Sequence, residues 1–142
     1  MSEKNIKIIT AQTACGEKAS FTTEARGSYE KANGVYTVKY TEIFEGAEMQ
    51  TVITVKNAVA VIERQNSTPM TVEAGKAHAC EYDTGYGVIP LEVRGIAVST
   101  KENGSSFTLK LKYRLFNGGE EASLNEITLT FLNIQEETIC LQ

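Results

Sequence analysis

The chain has 142 residues, with 14 Lys and Arg against 18 Asp and Glu, and a net charge of −4. That length suits one domain that buries roughly 70 % of its unfolded surface, so the fold needs no disulfide or metal staple. The acidic balance excludes a general nucleic-acid or anionic-membrane binder, since both need a basic patch.

Three cysteines, Cys15, Cys80 and Cys140, lie far apart in sequence. Their odd count and wide spacing match neither a disulfide framework nor a zinc-ligand pattern, so reduced thiols are expected. The opening MSEKNIKIIT has no apolar run of signal-peptide length, and no stretch approaches the ~20 apolar residues of a membrane helix. A cytoplasmic location is the expectation.

In chain order, Ile6 to Thr13 reads as a first strand, followed by a turn at Cys15-Gly16. Asn33-Gly34 is a type I′ hairpin signal, because both central residues need positive φ. Counting outward sets Lys31 against Tyr36, Tyr29 against Val38 and Gly27 against Tyr40. The inward face then runs Tyr36, Val38, Tyr40, Glu42 and Phe44. A turn at Gly46-Ala47 sets Phe44 against Met49, Glu42 against Thr51 and Tyr40 against Ile53. At Lys56-Asn57 two loop lengths compete. A two-residue loop points Ala58, Ala60, Ile62 and Arg64 inward and sets Arg64 opposite Met49. A three-residue loop points Val59, Val61 and Glu63 inward, which crowds two carboxylates on a dry face. The two-residue loop is favoured.

From Pro69 to Tyr82 the pattern weakens, with strand pieces at Thr71-Val72 and Ala77 to Cys80. Phe107 to Phe116, FTLKLKYRLF, alternates apolar and basic residues and is a half-buried strand. The Asn103-Gly104 turn before it sets Thr100 against Phe107, Val98 against Leu109 and Ile96 against Leu111. Upstream the phase breaks between Val93 and Ile96, which calls for a bulge at Arg94-Gly95. A loop at 117–121 leads to a closing strand from Leu124 to Leu132. The total is about nine strands joined mainly by short hairpins. Such a meander hides its edges best as an antiparallel barrel, with a two-sheet sandwich as the alternative.

Gly27-Ser28-Tyr29, Tyr36 to Tyr40 to Glu42, Thr51 to Val55, Arg64, Tyr82 to Gly87, Thr100 and Tyr113, in this order and spacing, resemble the YwiB-like family. The resemblance runs from the first strand to Phe131. It implies a calycin-like (lipocalin-like) barrel in a group of small bacterial proteins of unassigned function, and it implies no catalytic residue.

The only histidine, His78, shares a strand face with Cys80 and Tyr82. Residues two apart on a strand are about 7 Å apart, too far for a thiolate–imidazole pair, and a metal would need further ligands. No metal and no cofactor are expected. Lys110, Lys112 and Arg114 read as the solvated face of one strand. The informative group is Tyr36, Tyr40, Glu42 and Arg64, with Tyr113 on the facing wall. A carboxylate on an inward face needs a partner, and Arg64 is the candidate. These five residues are the candidate ligand site, with no catalytic residue among them.

The sequence therefore supports a barrel that binds a small amphipathic molecule. The alternative is a structural or protein-interaction domain with a packed interior. An enzyme ranks last, because acid, base and nucleophile candidates are sparse. The one partner implied is a small-molecule ligand, with no nucleic acid and no membrane. The sequence leaves the oligomeric state open.

Overall fold

The computed structural model describes residues 4–44, 46–65, 68–83, 86–103 and 106–132. Ten strands follow one another: β1 (Lys4–Ala14), β2 (Glu17–Ala32), β3 (Val35–Phe44), β4 (Ala47–Lys56), β5 (Val59–Arg64), β6 (Met70–Glu73), β7 (Ala77–Asp83), β8 (Val88–Asn103), β9 (Ser106–Asn117) and β10 (Glu120–Leu132). They form one antiparallel sheet in the order β6-β5-β4-β3-β2-β1-β10-β9-β8-β7. The sheet curls until its ends nearly meet. The fold is thus the expected meander barrel, with ten strands because the weak stretch from Pro69 to Tyr82 supplies two.

The seam between the sheet's ends closes on one glycine. Ala74, just past β6, bridges Gly95 of β8. Gly75 N donates to Gly95 O at 2.9 Å, and Gly95 N donates to Lys76 O at 3.0 Å. A Cβ on Gly95 would fall on the Glu73 carbonyl, so only glycine lets the two strands approach this closely. Beside the seam, His78 Nε2 and Glu73 Oε1 share a hydrogen bond of 2.9 Å, and Lys76 Nζ lies 3.5 Å from Glu73 Oε2. The histidine hydrogen bond, with Lys76 adding to it, holds the Glu73 carboxyl below its ordinary range.

Alternate residues fill the interior. Ile6, Val38, Ile53, Val72, Val93, Phe107, Leu109, Leu111, Leu129 and Phe131 are at most 1 % exposed. At one end the rings stack: Tyr29 on Phe107 at 4.3 Å, Tyr36 on Phe107 at 5.0 Å, and Tyr29 edge-on to Phe131 at 4.9 Å. Such contacts add to the area they bury. On the outer face, Arg114 pairs with Glu121 at 3.1 Å and Lys112 with Glu126 at 3.8 Å. The basic face of β9 is therefore laced to acidic β10.

The Asn33-Gly34 hairpin has the expected register, and both residues have positive φ (54° and 78°). The next hairpin is displaced by two. Phe44 pairs with Ala47, Glu42 with Met49 and Tyr40 with Thr51, so Gly46 takes the second loop position, and residue 45 lies outside the described residues. After β4 the two-residue loop is Asn57-Ala58, and Lys56 pairs with Val59. Arg64 consequently faces Thr51 rather than Met49. Asn103 pairs with Ser106, which moves Thr100 opposite Leu109 and Val98 opposite Leu111, while residues 104–105 lie outside the described residues. A bulge is present but lies further on than expected: Arg94 and Gly95 pair with Arg114 and Tyr113, and Ile96 is the extra residue before Ala97. Every one of these displacements is by an even number or absorbed at the bulge, so the strands keep their expected inward phase, although Ala58 falls in the exposed turn, Ile96 in the bulge and Arg64 at the exposed rim.

β2 and β3 pair only as far as Arg26 and Thr41. A Cβ on Gly27 would collide with the Lys39 carbonyl, so β2 crosses β3 tightly there. Beyond that point, among the described strands, only β1 pairs with the first half of β2.

Candidate functional site

The aromatic stack fills one end of the barrel, and a polar group occupies the other. Gly27, Tyr40, Thr51 and Arg64 stand side by side on β2, β3, β4 and β5, because each is the direct partner of the next. From the opposite wall, Tyr113 of β9 is flanked by Gly95 and Asn125. Tyr40, Thr51 and Tyr113 are buried, whereas Arg64 is exposed at the barrel's rim.

Electrostatics link the two walls. Burial pushes the Tyr40 and Tyr113 phenols above their ordinary value of 10.0, and the Arg64 charge opposes that rise at both rings. Arg64 thus lies close to both tyrosines. Glu42 adds a smaller upward push on Tyr40. Cys80 adds to the rise at Tyr113, and burial raises its own thiol. On β10, Asn125 Nδ2 donates to Ser123 Oγ at 2.9 Å, with both residues buried.

One atom in this group is unsatisfied. Thr51 Oγ1 is buried and makes no well-aligned hydrogen bond among the described residues, although the Tyr40 phenol lies near enough for hydrogen bonding to Thr51 and Arg64 to oppose its rise. A buried hydroxyl without a partner costs about 1–3 kcal/mol, and native proteins hold few of them.

Chemically the group offers donors. Both phenols and the Cys80 thiol are protonated at neutral pH, Arg64 is a fixed cation, and Thr51 offers a free hydroxyl. That set can seat an acceptor-bearing or anionic group. It supplies no thiolate or phenolate nucleophile at neutral pH. Among the described residues, no cluster of three His, Cys, Asp or Glu could hold a metal ion.

Of the five residues expected from sequence, Tyr40, Arg64 and Tyr113 come together. Glu42 lies near Tyr40 but makes no ion pair with Arg64. Arg64 lies opposite Thr51 and level with Tyr40, still two residues from Glu42 across β4, but it is exposed and so does not form the expected buried pair. Tyr36 lies at the other end, four residues and roughly 13 Å along β3. Its hydroxyl donates to Glu102 Oε1 at 2.8 Å, and its ring joins the Phe107 stack. Sequence reasoning missed Thr51 as a site residue, although a threonine in the inward phase of TVITV is a polar side chain on an apolar face.

His78, Cys80 and Tyr82 share a face of β7, as expected, but they do not act as a unit. His78 serves the seam through Glu73, Cys80 approaches Tyr113, and Tyr82 is 59 % exposed at the rim. Phe21 of β2, on the inward phase at the same end, is 58 % exposed. Cys15 and Cys80 are free, and Cys140 lies outside the described residues. Two grooves are lined by described residues. One of about 360 Å³ runs over β7 and β8, where Arg94 stacks 3.9 Å above the Phe116 ring. The other, of about 230 Å³, lies over the Gly27 crossing.

The profile of a family described as a domain of unknown function, DUF1934, matches residues 6–129. Among solved structures, the crystal structure of the ywiB protein from Bacillus subtilis is similar, with a TM-score of 0.75 at 14 % identity over 91 % of each chain. At that identity the likeness speaks to the fold. No curated protein matches the chain.

Proposed function

The chain belongs to the DUF1934 family, and from that premise we propose that its barrel, calycin-like in build and cytoplasmic in location, binds a small amphipathic ligand at its polar end. The ligand's head, carrying hydrogen-bond acceptors or a negative charge, sits against Thr51, Tyr40, Tyr113 and Arg64. Its apolar part extends toward the rim, where Phe21 and Tyr82 expose their rings. The observation that carries this reading is the buried Thr51 hydroxyl beside Arg64, which lacks a well-aligned hydrogen bond among the described residues. An orphaned polar atom next to a cation and two phenols is what a site looks like when its ligand supplies the missing hydrogen bond.

A second reading has its own support. The half of the barrel around Phe107, Leu109, Leu129 and Phe131 excludes solvent completely, which suits an interaction domain with a solid core. The proposed ligand therefore occupies the polar end alone and not the middle of the barrel. No helix among the described residues is long and apolar enough to cross a membrane.

The test uses anilinonaphthalene sulfonate, an anionic amphipathic fluorophore. Saturable binding that weakens about tenfold or more in Arg64→Ala supports the reading, since one lost charge-assisted contact is of that size. Weak, non-saturable binding, equal in both proteins, favours the packed domain.

A further inference from the structure

Among the described residues, 17–24, the first half of β2, are strand-paired on one side only. β1 pairs them along their whole length, while β3 joins β2 no earlier than Arg26. All eight, EKASFTTE, are exposed, and Phe21 is 58 % exposed. The segment contains no proline and its pairing with β1 has no bulge. Long, regular, unpaired edges are templates for another strand.

The sequence of this edge is complementary to itself. Pair it antiparallel with its own copy about a twofold axis through Phe21. Phe21 then faces Phe21, Ser20 faces Thr22, Ala19 faces Thr23, and Lys18 faces Glu24 on both sides of the axis. Neighbouring registers lose this match. A slip of one sets Glu17 against Glu24. A centre at Thr22 sets Lys18 against Arg26, and a centre at Ser20 separates the two rings. Cross-strand pairs of opposite charge and of aromatic rings favour a register, and like charges oppose one. In the Phe21-centred register, Lys18 and Glu24 lie on the outer face and Phe21, Ala19 and Thr23 on the inner one, so both faces agree.

We propose that two copies of this chain associate through residues 17–24 of β2, centred on Phe21, to form one continuous sheet across both barrels. The interface is isologous, so each copy contributes the same strand and each Lys18–Glu24 contact occurs twice. Because it consists of one strand edge, the association is weak and reversible.

Sedimentation velocity on the full chain, from about 10 µM to about 1 mM, reads the dimer directly; weak interfaces of this size fall in that range. Lys18→Glu and Glu24→Lys each place two like-charge pairs in the interface and should raise the dimer Kd roughly tenfold. Mixing the two single variants restores opposite charges at both positions, so the mixture should dimerise about as well as the native chain. Both side chains are exposed, and far-UV circular dichroism checks that the variants keep the sheet. A chain that stays monomeric throughout overturns the proposal. So does a dimer that ignores the single reversals, or a mixture no tighter than its components.

Discussion

Thr51 and Arg64 are direct cross-strand partners on β4 and β5. One is fully buried, its hydroxyl without a well-aligned hydrogen bond among the described residues, and the other is exposed at the rim. A cation that reaches solvent above a dry, unsatisfied hydroxyl gives the barrel's polar end its character. Tyr40 and Tyr113 complete the group from two walls, and both are protonated at neutral pH because burial holds their phenols above the ordinary value.

Removing that hydroxyl should stabilise the free protein. Thr51→Val keeps the shape and deletes the unpaired group, so we expect a gain of about 1 kcal/mol, read as a higher urea midpoint at unchanged slope. A loss of stability of similar size would show that the hydroxyl has a partner in solution.

The Asn57-Ala58 turn carries strain that glycine would remove. Ala58 has φ of 61°, a conformation that costs an L-residue about 1–2 kcal/mol. Ala58→Gly should therefore raise stability by about 0.5–1 kcal/mol after the entropy cost of glycine is subtracted. Gly95→Ala should act in the opposite direction and cost more than about 2 kcal/mol, because its Cβ would strike the Glu73 backbone at the seam. Equilibrium unfolding of both variants checks the pair of signs.

Stability should fall toward both extremes of pH, for separate reasons. Tyr40 and Tyr113 have folded pKa values raised above the ordinary 10.0. Their contribution is intact below that value and is lost as pH rises through the folded pKa. Tyr40→Phe should flatten the alkaline limb. Glu73 has a lowered folded pKa, so its contribution is present above the ordinary 4.5 and is lost as pH falls through the folded value. Glu73→Gln should flatten the acid limb. Urea midpoints measured across pH for the native chain and both variants test each limb independently.

The barrel was legible in the sequence because a two-residue period reports which face a residue takes. It does not report which residue stands opposite. Asn33-Gly34 gave the correct register because both of its residues adopt positive φ in the loop. Gly46 was assigned the first loop position and takes the second, which slides β4 by two residues without changing any inward face. That slide is invisible to the burial pattern, and so is the one-residue shift of the next loop to Asn57-Ala58, which moved Arg64 from Met49 to Thr51. Together the two shifts set Arg64 level with Tyr40 and opposite Thr51. The seam was illegible for another reason. The approach of Glu73 to Gly95 joins segments distant in sequence, and Gly95 read locally as part of a bulge.

Native mass spectrometry of the protein purified from its own host is the most direct test of ligand binding at the polar end. The native chain should carry a discrete, non-covalent adduct of small-molecule mass, and Arg64→Ala purified in parallel should carry little or none. A native chain free of any adduct, or an adduct retained equally by Arg64→Ala, would contradict a ligand held by Arg64 and Thr51.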